Sequence, residues 1–229
     1  MLDQLTAKGR IIAAALRLAA TRRWAEVTLR DIAEEAGPNL VELRQIFSSK
    51  SAILAAFVRA VDDEVVRRAP RRTPDQAARD AIFEVVMSRF DVLAPYKSAL
   101  ASIVRDVGPD YELACAGLAS QHWMLQAAGI DTEGARGAVR IAGLASVYAS
   151  VFRTWLDDDD PGLARTMAAL DRRLRRGERN LETLEAVCGA FCRLGDIFTG
   201  RSRPRPQSTP TPPPSPAAPP AADAQPGHA

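Results

Sequence analysis

The side chains best suited to contact a nucleic acid are concentrated between residues 28 and 50. Arginine and lysine can neutralise phosphates, whereas asparagine and glutamine can read adenine through paired hydrogen bonds. The set comprises Thr28, Arg30, Asn39, Arg44, Gln45, Ser48 and Lys50. We expect Arg30, Arg44 and Lys50 to hold phosphates. Asn39, Gln45 and Ser48 would then approach bases or backbone, although each side chain could instead be an ordinary solvated surface group.

Side chains that could support catalysis are few and scattered. His122 and His228 are the two histidines of the sequence, and His228 lies in its last stretch. Glycine-rich phosphate loops, zinc-binding spacings and nucleophile elbows do not occur in the sequence. Cys188 and Cys192 share one helix face, where buried cysteines usually behave as small hydrophobic side chains. The sequence therefore predicts a protein without catalytic activity, metal or cofactor.

Two short helices joined by a tight turn are expected to position the polar set. Thr28 suits the N-cap of the first helix, because Asp31 can bond back to it. Gly37 and Pro38 end that helix. The second helix is predicted to bury Leu40, Leu43, Ile46 and Phe47. This outline is that of a helix-turn-helix, whose second helix can enter the major groove of DNA.

The rest of the chain predicts an all-α fold. Alanine, leucine and arginine dominate, and runs of β-branched residues are scarce. Thr73 and Pro74 suit the N-cap and the first position of a helix. The acidic run 157–160 predicts a solvated turn whose last aspartate caps the next helix. Helices are predicted at residues 3–22, 51–68, 73–93, 96–106, 110–128, 133–156, 161–176 and 178–198.

Three regions follow from this pattern. Residues 1–50 are expected to form a helix-turn-helix headpiece, and residues 51–199 a helical body for ligand binding and dimerisation. Residues 200–229 form a Pro/Ala-rich tail, and ten of the sixteen prolines of the chain lie between positions 204 and 226. Because such a composition cannot bury a core, we expect the tail to be disordered or locally polyproline II.

Charge and cysteine content indicate which partners and which cellular compartment to expect for the chain. The 229 residues carry a net charge of only +2, so contact with nucleic acid would need a local basic patch. Three cysteines and no convincing secretory signal fit a reducing cytosol. The apolar stretch 11–20 is interrupted by Arg17 and is too short to span a bilayer. We therefore expect a cytoplasmic protein.

Aromatic and methionine side chains at helical spacing give the body two possible roles. They could line an apolar pocket that takes a small molecule or lipid, or they could be ordinary core packing. The candidates are Phe83, Met87, Phe90, Trp123, Met124, Tyr148 and Phe152. The last predicted helix, residues 178–198, has a broad apolar stripe that could pack against a second copy or lie on a membrane surface.

A series of residues between positions 10 and 54 keeps a defined spacing. It comprises Ile12, Ala15, Leu16, Ala19, Thr28, Arg30, Ile32, Ala33, Ala36, Gly37, Leu43, Phe47, Ser49, Lys50 and Leu54. In these residues the chain resembles the TetR family of bacterial transcriptional regulators. The resemblance implies a helix-turn-helix that binds double-stranded DNA, a helical body with a ligand pocket, and a homodimer formed through the last two helices.

The second helix of the motif departs from that family at three positions. Where the family usually has threonine, tyrosine and histidine, which generally touch phosphates, this chain has Glu42, Arg44 and Ile46. Arg44 can replace a phosphate contact and adds positive charge. Glu42 would face phosphates unfavourably if it points outward, although a glutamate can also accept a hydrogen bond from cytosine.

Four segments of the body, residues 128–131, 143–148, 155–161 and 166–174, resemble the C-terminal half of the COQ9 proteins. That resemblance implies the same fold in an isoprenoid-lipid-binding accessory protein of ubiquinone biosynthesis, with no DNA binding and a terminal helix on a membrane. Our interpretation is a TetR-like homodimeric regulator, expected to be a repressor that responds to an apolar ligand. The COQ9-like role is the alternative.

Overall fold

Helices account for the regular structure of the chain wherever it is described. A computed structural model describes residues 3–179, and this range contains α-helices and 3-10 turns but no strand. The predicted all-α class is therefore confirmed. The helices are α1 (Ala7–Thr21), α2 (Leu29–Ala36), α3 (Leu40–Ile46), α4 (Lys50–Arg68), α5 (Ala78–Leu93), α6 (Lys97–Asp106), α7 (Tyr111–Ala127), α8 (Gly134–Leu156) and α9 (residues 164–179).

Reciprocal caps define the starts of α2 and α3. Thr28 Oγ1 accepts a hydrogen bond from the Asp31 amide (3.1 Å), and Asp31 Oδ2 accepts one from the Thr28 amide (2.8 Å). Asn39 and Glu42 form the same kind of pair at the start of α3. Gly37 ends α2 with a φ of 94°, a conformation that a β-carbon disfavours. The helix-turn-helix outline predicted from Thr28 and Gly37 matches this geometry.

Three predicted helix starts are wrong, and local structure explains each shift. α1 begins at Ala7 rather than at residue 3, because Thr6 is its N-cap and Thr6 Oγ1 accepts a hydrogen bond from the Gly9 amide (3.0 Å). α5 begins at Ala78 rather than Thr73, because the Gln76 amide bonds to the Thr73 carbonyl (3.1 Å) and closes a separate turn. α9 begins at residue 164 rather than 161, since Leu163 has a positive φ of 52° that cannot continue a right-handed helix.

The acidic turn between α8 and α9 differs in part from its prediction. Asp158 is buried rather than solvated, and its Oδ2 accepts hydrogen bonds from the amide (2.9 Å) and the hydroxyl (2.7 Å) of Thr166. Asp160 behaves as expected, because its Oδ2 accepts a hydrogen bond from the Ala164 amide (3.1 Å). The turn therefore anchors the start of α9.

One apolar core runs from α1 to α9, and α4 packs along α7 while α1 contacts both α2 and α6. Since α1 and α6 share this core, the division into a headpiece and a body at residue 50 stays a prediction. None of the helices in the described range has the length and apolarity that a membrane crossing requires. The predicted final helix beyond residue 179 and the tail lie outside the described residues.

Candidate nucleic-acid interface

The N-terminus of α3 is organised by its cap. Asn39 Oδ1 accepts a hydrogen bond from the Glu42 amide (2.9 Å), and Glu42 Oε2 accepts one from the Asn39 amide (3.0 Å). Both side chains are exposed, but this pairing directs the Glu42 carboxylate back onto the helix end. Its negative charge lies at the positive end of the α3 dipole, where it stabilises the helix. Glu42 therefore caps α3, a role that the sequence analysis did not predict.

Four of the seven predicted side chains are exposed and have no hydrogen bond or ion pair within the described residues. They are Arg30, Arg44, Gln45 and Ser48. Arg30 lies on α2, Arg44 and Gln45 lie in the last turn of α3, and Ser48 follows that helix. Two guanidinium groups, an amide and a hydroxyl are therefore available to phosphates and base edges on one motif.

Thr28 forms the N-cap of α2, and its hydroxyl is already hydrogen-bonded within the motif. Its hydroxyl donates to Asp31 Oδ2 (2.9 Å) as well as accepting from the Asp31 amide. Hydrogen bonds from the amide and hydroxyl of Thr28 hold the pKa of Asp31 below its ordinary value, and the nearby charge of Arg22 adds to this effect. The ion pair between Arg22 and Asp31 has an N–O distance of 3.7 Å.

Lys50 points into the protein. Its ammonium donates to the carbonyl oxygens of Trp24 (2.6 Å) and Val27 (2.7 Å) and lies 4.3 Å from the centre of the Trp24 ring. Burial lowers the pKa of Lys50, while the charges of Asp106 and Asp31 oppose this shift. Of the three cations expected to hold phosphates, Lys50 is therefore the one that already has intramolecular partners.

The surface of α3 is more apolar than its pattern predicted. Leu43 and Phe47 are buried, but Leu40 and Ile46 are exposed, so their assignment to the buried side was wrong. The helix has only seven residues and packs mainly against α2, so the two ends of its apolar stripe stay exposed. Val41, with 68 % of its surface exposed, is a candidate contact that the sequence analysis missed. The sequence pattern could have indicated this contact, because Val41 is an apolar residue outside the buried stripe of α3. A valine methyl group exposed in this way can contact the methyl group of thymine.

The predicted pocket residues fall into separate places. Phe90, Tyr148 and Phe152 stack with Trp155 in one aromatic cluster, with ring centres 5.3–6.5 Å apart for the contacts of Phe90. Met124 is buried in the same core. Phe83 and Met87 are half-buried, and Phe83 lines a groove of about 460 Å³ between α5 and α9. Trp123 is half exposed and lines a different groove, of about 650 Å³, between α1 and α4.

A buried polar network lies beside the aromatic cluster. Asp62 on α4 pairs with Arg89 on α5 and accepts a hydrogen bond from the Ser120 hydroxyl (2.6 Å). Arg89 Nε donates to the Tyr148 hydroxyl (3.0 Å), and burial raises the pKa of Tyr148. Next to Ser120, the buried Oε1 of Gln121 has no hydrogen-bond partner. The sequence analysis missed this network because its members are far apart along the chain.

Histidine, cysteine and carboxylate side chains that come together can bind a metal ion. Within residues 3–179, no three of these side chains are arranged so that they could hold a metal ion. The buried carboxylates of this range instead have hydrogen-bonded protein partners, as Asp62 and Asp158 illustrate. Exposed polar groups of α2, α3 and Ser48 remain available for intermolecular contact.

The described fold is similar to solved bacterial regulators. A TetR transcriptional regulator from a Rhodococcus species matches with a TM-score of 0.59 and 19 % identity, over 76 % of this chain and 97 % of that chain. One from Nitrosomonas europaea matches with 0.59 and 22 %, over 76 % and 98 %. A TetR-family regulator from Streptomyces coelicolor matches with 0.51 and 19 %, over 81 % and 82 %.

These similarities establish a TetR-like fold. No protein-family model matches the chain, and no curated protein matches its sequence. The resemblance to the COQ9 proteins has no support in these comparisons, whereas the resemblance to TetR regulators agrees with the fold. The comparisons therefore show the fold of the chain.

Proposed function

We propose that the chain is a DNA-binding transcriptional regulator that reads the major groove with α3. The observation that carries this proposal is the division of polar groups on the helix-turn-helix. Asn39, Glu42 and Thr28 satisfy the helix ends, while the side chains of Arg44 and Gln45 remain exposed without a described partner. A capped, rigid motif with free cations and amides has the chemistry that phosphates and base edges require.

Each free side chain has a distinct role in this proposal. Arg30 and Arg44 bind phosphates and set the orientation of the motif on the duplex. Gln45 reads adenine, and the methyl groups of Val41 contact thymine. Ser48 donates to a phosphate next to the end of α3. The diverged recognition helix thus retains one cation, one amide and one apolar contact.

Regulation by an apolar small molecule and assembly as a homodimeric repressor complete the proposal. The aromatic cluster beside the Asp62–Arg89 pair supports ligand binding, because ligand sites combine apolar side chains with a few fixed polar groups. Dimerisation is supported by the exposed face of α8, whose small side chains permit close helix packing. This face comprises Ala135, Ala138, Ala142, Ser146 and Ala149.

Fluorescence anisotropy tests the proposal with DNA from upstream of the gene, a scrambled duplex and a series of salt concentrations. We expect binding to the upstream DNA at least about a thousandfold tighter than to the scrambled duplex. Arg44→Ala should weaken binding to both duplexes and lower the salt slope by about one. Arg175→Ala removes the same charge from α9, where Arg175 pairs with Asp171, and should change neither quantity.

Two results would contradict the proposal. Equal binding to both duplexes would mean that α3 carries no sequence recognition. An Arg44→Ala variant with the affinity and salt slope of the unaltered protein would remove Arg44 from the interface.

A further inference from the structure

The segment that leads into the helix-turn-helix is held by side chains from α4 and α6. We call residues 22–27, between α1 and α2, the entry turn. Lys50, the first residue of α4, donates to the carbonyl oxygens of Trp24 and Val27 in this turn. Val27 immediately precedes Thr28, the N-cap of α2. The hydrogen bond from Lys50 to the Val27 carbonyl therefore fixes the backbone next to the start of the helix-turn-helix.

The entry turn is also hydrogen-bonded to α6. Ser102 Oγ accepts a hydrogen bond from the Trp24 amide (3.1 Å) and donates to the Arg22 carbonyl (3.1 Å). Asp106 Oδ2 accepts one from the Ala25 amide (2.9 Å). Asp106 Oδ1 also pairs with Arg23 (3.2 Å), and the Asp106 side chain is almost fully buried although Arg23 is exposed.

The electrostatics of the two anchors are linked. The hydrogen bond from the Ala25 amide, with a contribution from Arg23, holds the pKa of Asp106 below its ordinary value. The ionised Asp106 in turn favours the charged form of Lys50 against the cost of its burial. Backbone groups of the entry turn therefore have hydrogen-bond partners of matching polarity on both α4 and α6.

Lys50 is poorly placed to bind a phosphate. Two of the three ammonium protons are directed at Trp24 and Val27, and the ammonium lies against the face of the Trp24 ring. Reaching DNA would break both hydrogen bonds and leave two carbonyl groups without their donor. Arg44, by contrast, can bind a phosphate without any such loss.

We propose that Lys50 is a positioning residue for DNA recognition and not a phosphate ligand. Together with Ser102 and Asp106 it fixes the entry turn, and through that turn the position of α2 and α3 relative to α4 and α6. This inference rests on the proposed DNA-binding function. It assigns to α6, which is remote from α3 along the chain, a part in presenting the recognition helix.

Substitution by arginine separates the two roles of a lysine at this position. An arginine binds phosphate at least as well as a lysine, because its planar guanidinium can make two parallel hydrogen bonds. It cannot replace the compact ammonium between the Trp24 and Val27 carbonyls. For a positioning residue, Lys50→Arg should therefore weaken DNA binding about tenfold or more, a factor that anisotropy resolves easily. The salt slope should stay that of the unaltered protein.

The matched variants are Lys50→Met, which removes the donors, and Arg44→Ala, which removes a proposed phosphate contact. Lys50→Met should lose affinity with an unchanged salt slope, whereas Arg44→Ala should lower the slope by about one. Leu174 on α9 is buried in the core, so Leu174→Ala leaves a cavity there. This variant should lose stability but retain its affinity for DNA. Full affinity in Lys50→Arg, or a lower slope in Lys50→Met, would overturn the proposal.

Amide hydrogen exchange provides a readout that does not depend on DNA. The Trp24 and Ala25 amides should exchange faster in Lys50→Met, in Ser102→Ala and in Asp106→Ala than in Leu174→Ala at equal loss of global stability. Unchanged exchange in Lys50→Met would overturn the proposal. If the unaltered protein binds no DNA, both the proposed function and the role of Lys50 in DNA recognition are overturned. Faster amide exchange in Lys50→Met would in that case show only that Lys50 anchors the entry turn.

Discussion

The helix-turn-helix and the body satisfy their polar groups in opposite ways. On α2 and α3 the caps join residues three positions apart, Thr28 with Asp31 and Asn39 with Glu42, and all four lie at or near the surface. In the body, Asp62, Arg89, Ser120 and Tyr148 meet in the core from four different helices. The helix-turn-helix can therefore form its caps locally, whereas the buried network exists only when the body is folded.

This contrast has an energetic consequence. A lost surface cap exposes a backbone group that water can still solvate, so its cost is limited. A lost member of the buried network leaves a charge or donor without either a protein partner or water. Substitutions in the two regions should therefore differ severalfold in their effect on the free energy of unfolding.

The largest effect is expected for Asp62→Ala. Arg89 would remain as a buried cation without its carboxylate, which should lower the free energy of unfolding by about 3–5 kcal/mol. Urea denaturation monitored by circular dichroism measures this change. Asp63→Ala, at the exposed neighbouring position, should change it by less than about 0.5 kcal/mol. A small effect of Asp62→Ala would mean that water reaches Arg89 and that the contrast does not hold.

A smaller loss is expected at the buried acid of the turn before α9. Asp158→Ala leaves the amide and hydroxyl of Thr166 without their acceptor, which should cost about 1–3 kcal/mol. Asp159 is fully exposed, so Asp159→Ala is the matched control, with an expected change below about 0.5 kcal/mol. If both variants lost the same free energy of unfolding, the net charge of the turn, and not the hydrogen bonds of Asp158, would be the cause.

The contribution of Asp158 should also depend on pH. Hydrogen bonds from Thr166 lower the pKa of Asp158 in the folded state below its ordinary value of 3.8. Its stabilisation is therefore fully present above that pH and is lost as the pH falls through the lower, folded-state pKa. The difference in free energy of unfolding between the unaltered protein and Asp158→Ala should shrink on acidification. A difference that grows would contradict the assignment of an ionised carboxylate.

The helix-turn-helix is expected to respond more weakly than the body. Thr28→Ala removes the cap of α2 and should cost about 1 kcal/mol, whereas Thr28→Ser keeps the hydroxyl and should cost less. Thermal denaturation of the three proteins measures the difference. If the serine variant loses as much as the alanine variant, the methyl packing of Thr28 would matter more than its hydrogen bonds.

The smallest effect is expected for Arg175→Ala on the exposed face of α9. Its pair with Asp171 spans one helical turn in solvent and should contribute about 0.3–0.5 kcal/mol. The same denaturation experiment at low and high salt should show that this small difference disappears as charges are screened. A loss above about 1 kcal/mol would indicate that surface and core pairs are energetically alike in this protein.

The same distinction explains what sequence reasoning could predict. The cap at Thr28, the end of α2 at Gly37 and the class of the fold follow from residues a few positions apart, so local rules found them. The sequence predicts Lys50 as a phosphate contact and does not predict its intramolecular partners, the Trp24 and Val27 carbonyls, because these lie more than twenty residues earlier in the chain. Local rules contain no information about such a partner.

Competing local structures and long-range pairing account for the other differences. Thr73 and Pro74 have the types of a helix start, but the turn closed by Gln76 uses the same residues. The pairing of Asp62 with Arg89 could not be predicted from either segment, because each looks like a charged position on an amphipathic helix. The side chains left free on α3, which matter most for the proposed function, are exposed as DNA contact requires, and their role stays a prediction.

Selection of bound sequences from random DNA tests the central proposal most directly. The purified full chain is incubated with a random duplex library at near-physiological salt, and bound DNA is sequenced after several rounds. A homodimer reading DNA with α3 should enrich a palindrome whose half-sites are separated by about one helical turn, or a multiple of it. Arg175→Ala should enrich the same palindrome, and Gln45→Ala one with a relaxed adenine position. A library without any enriched sequence would contradict the assignment of this chain as a sequence-specific DNA-binding regulator.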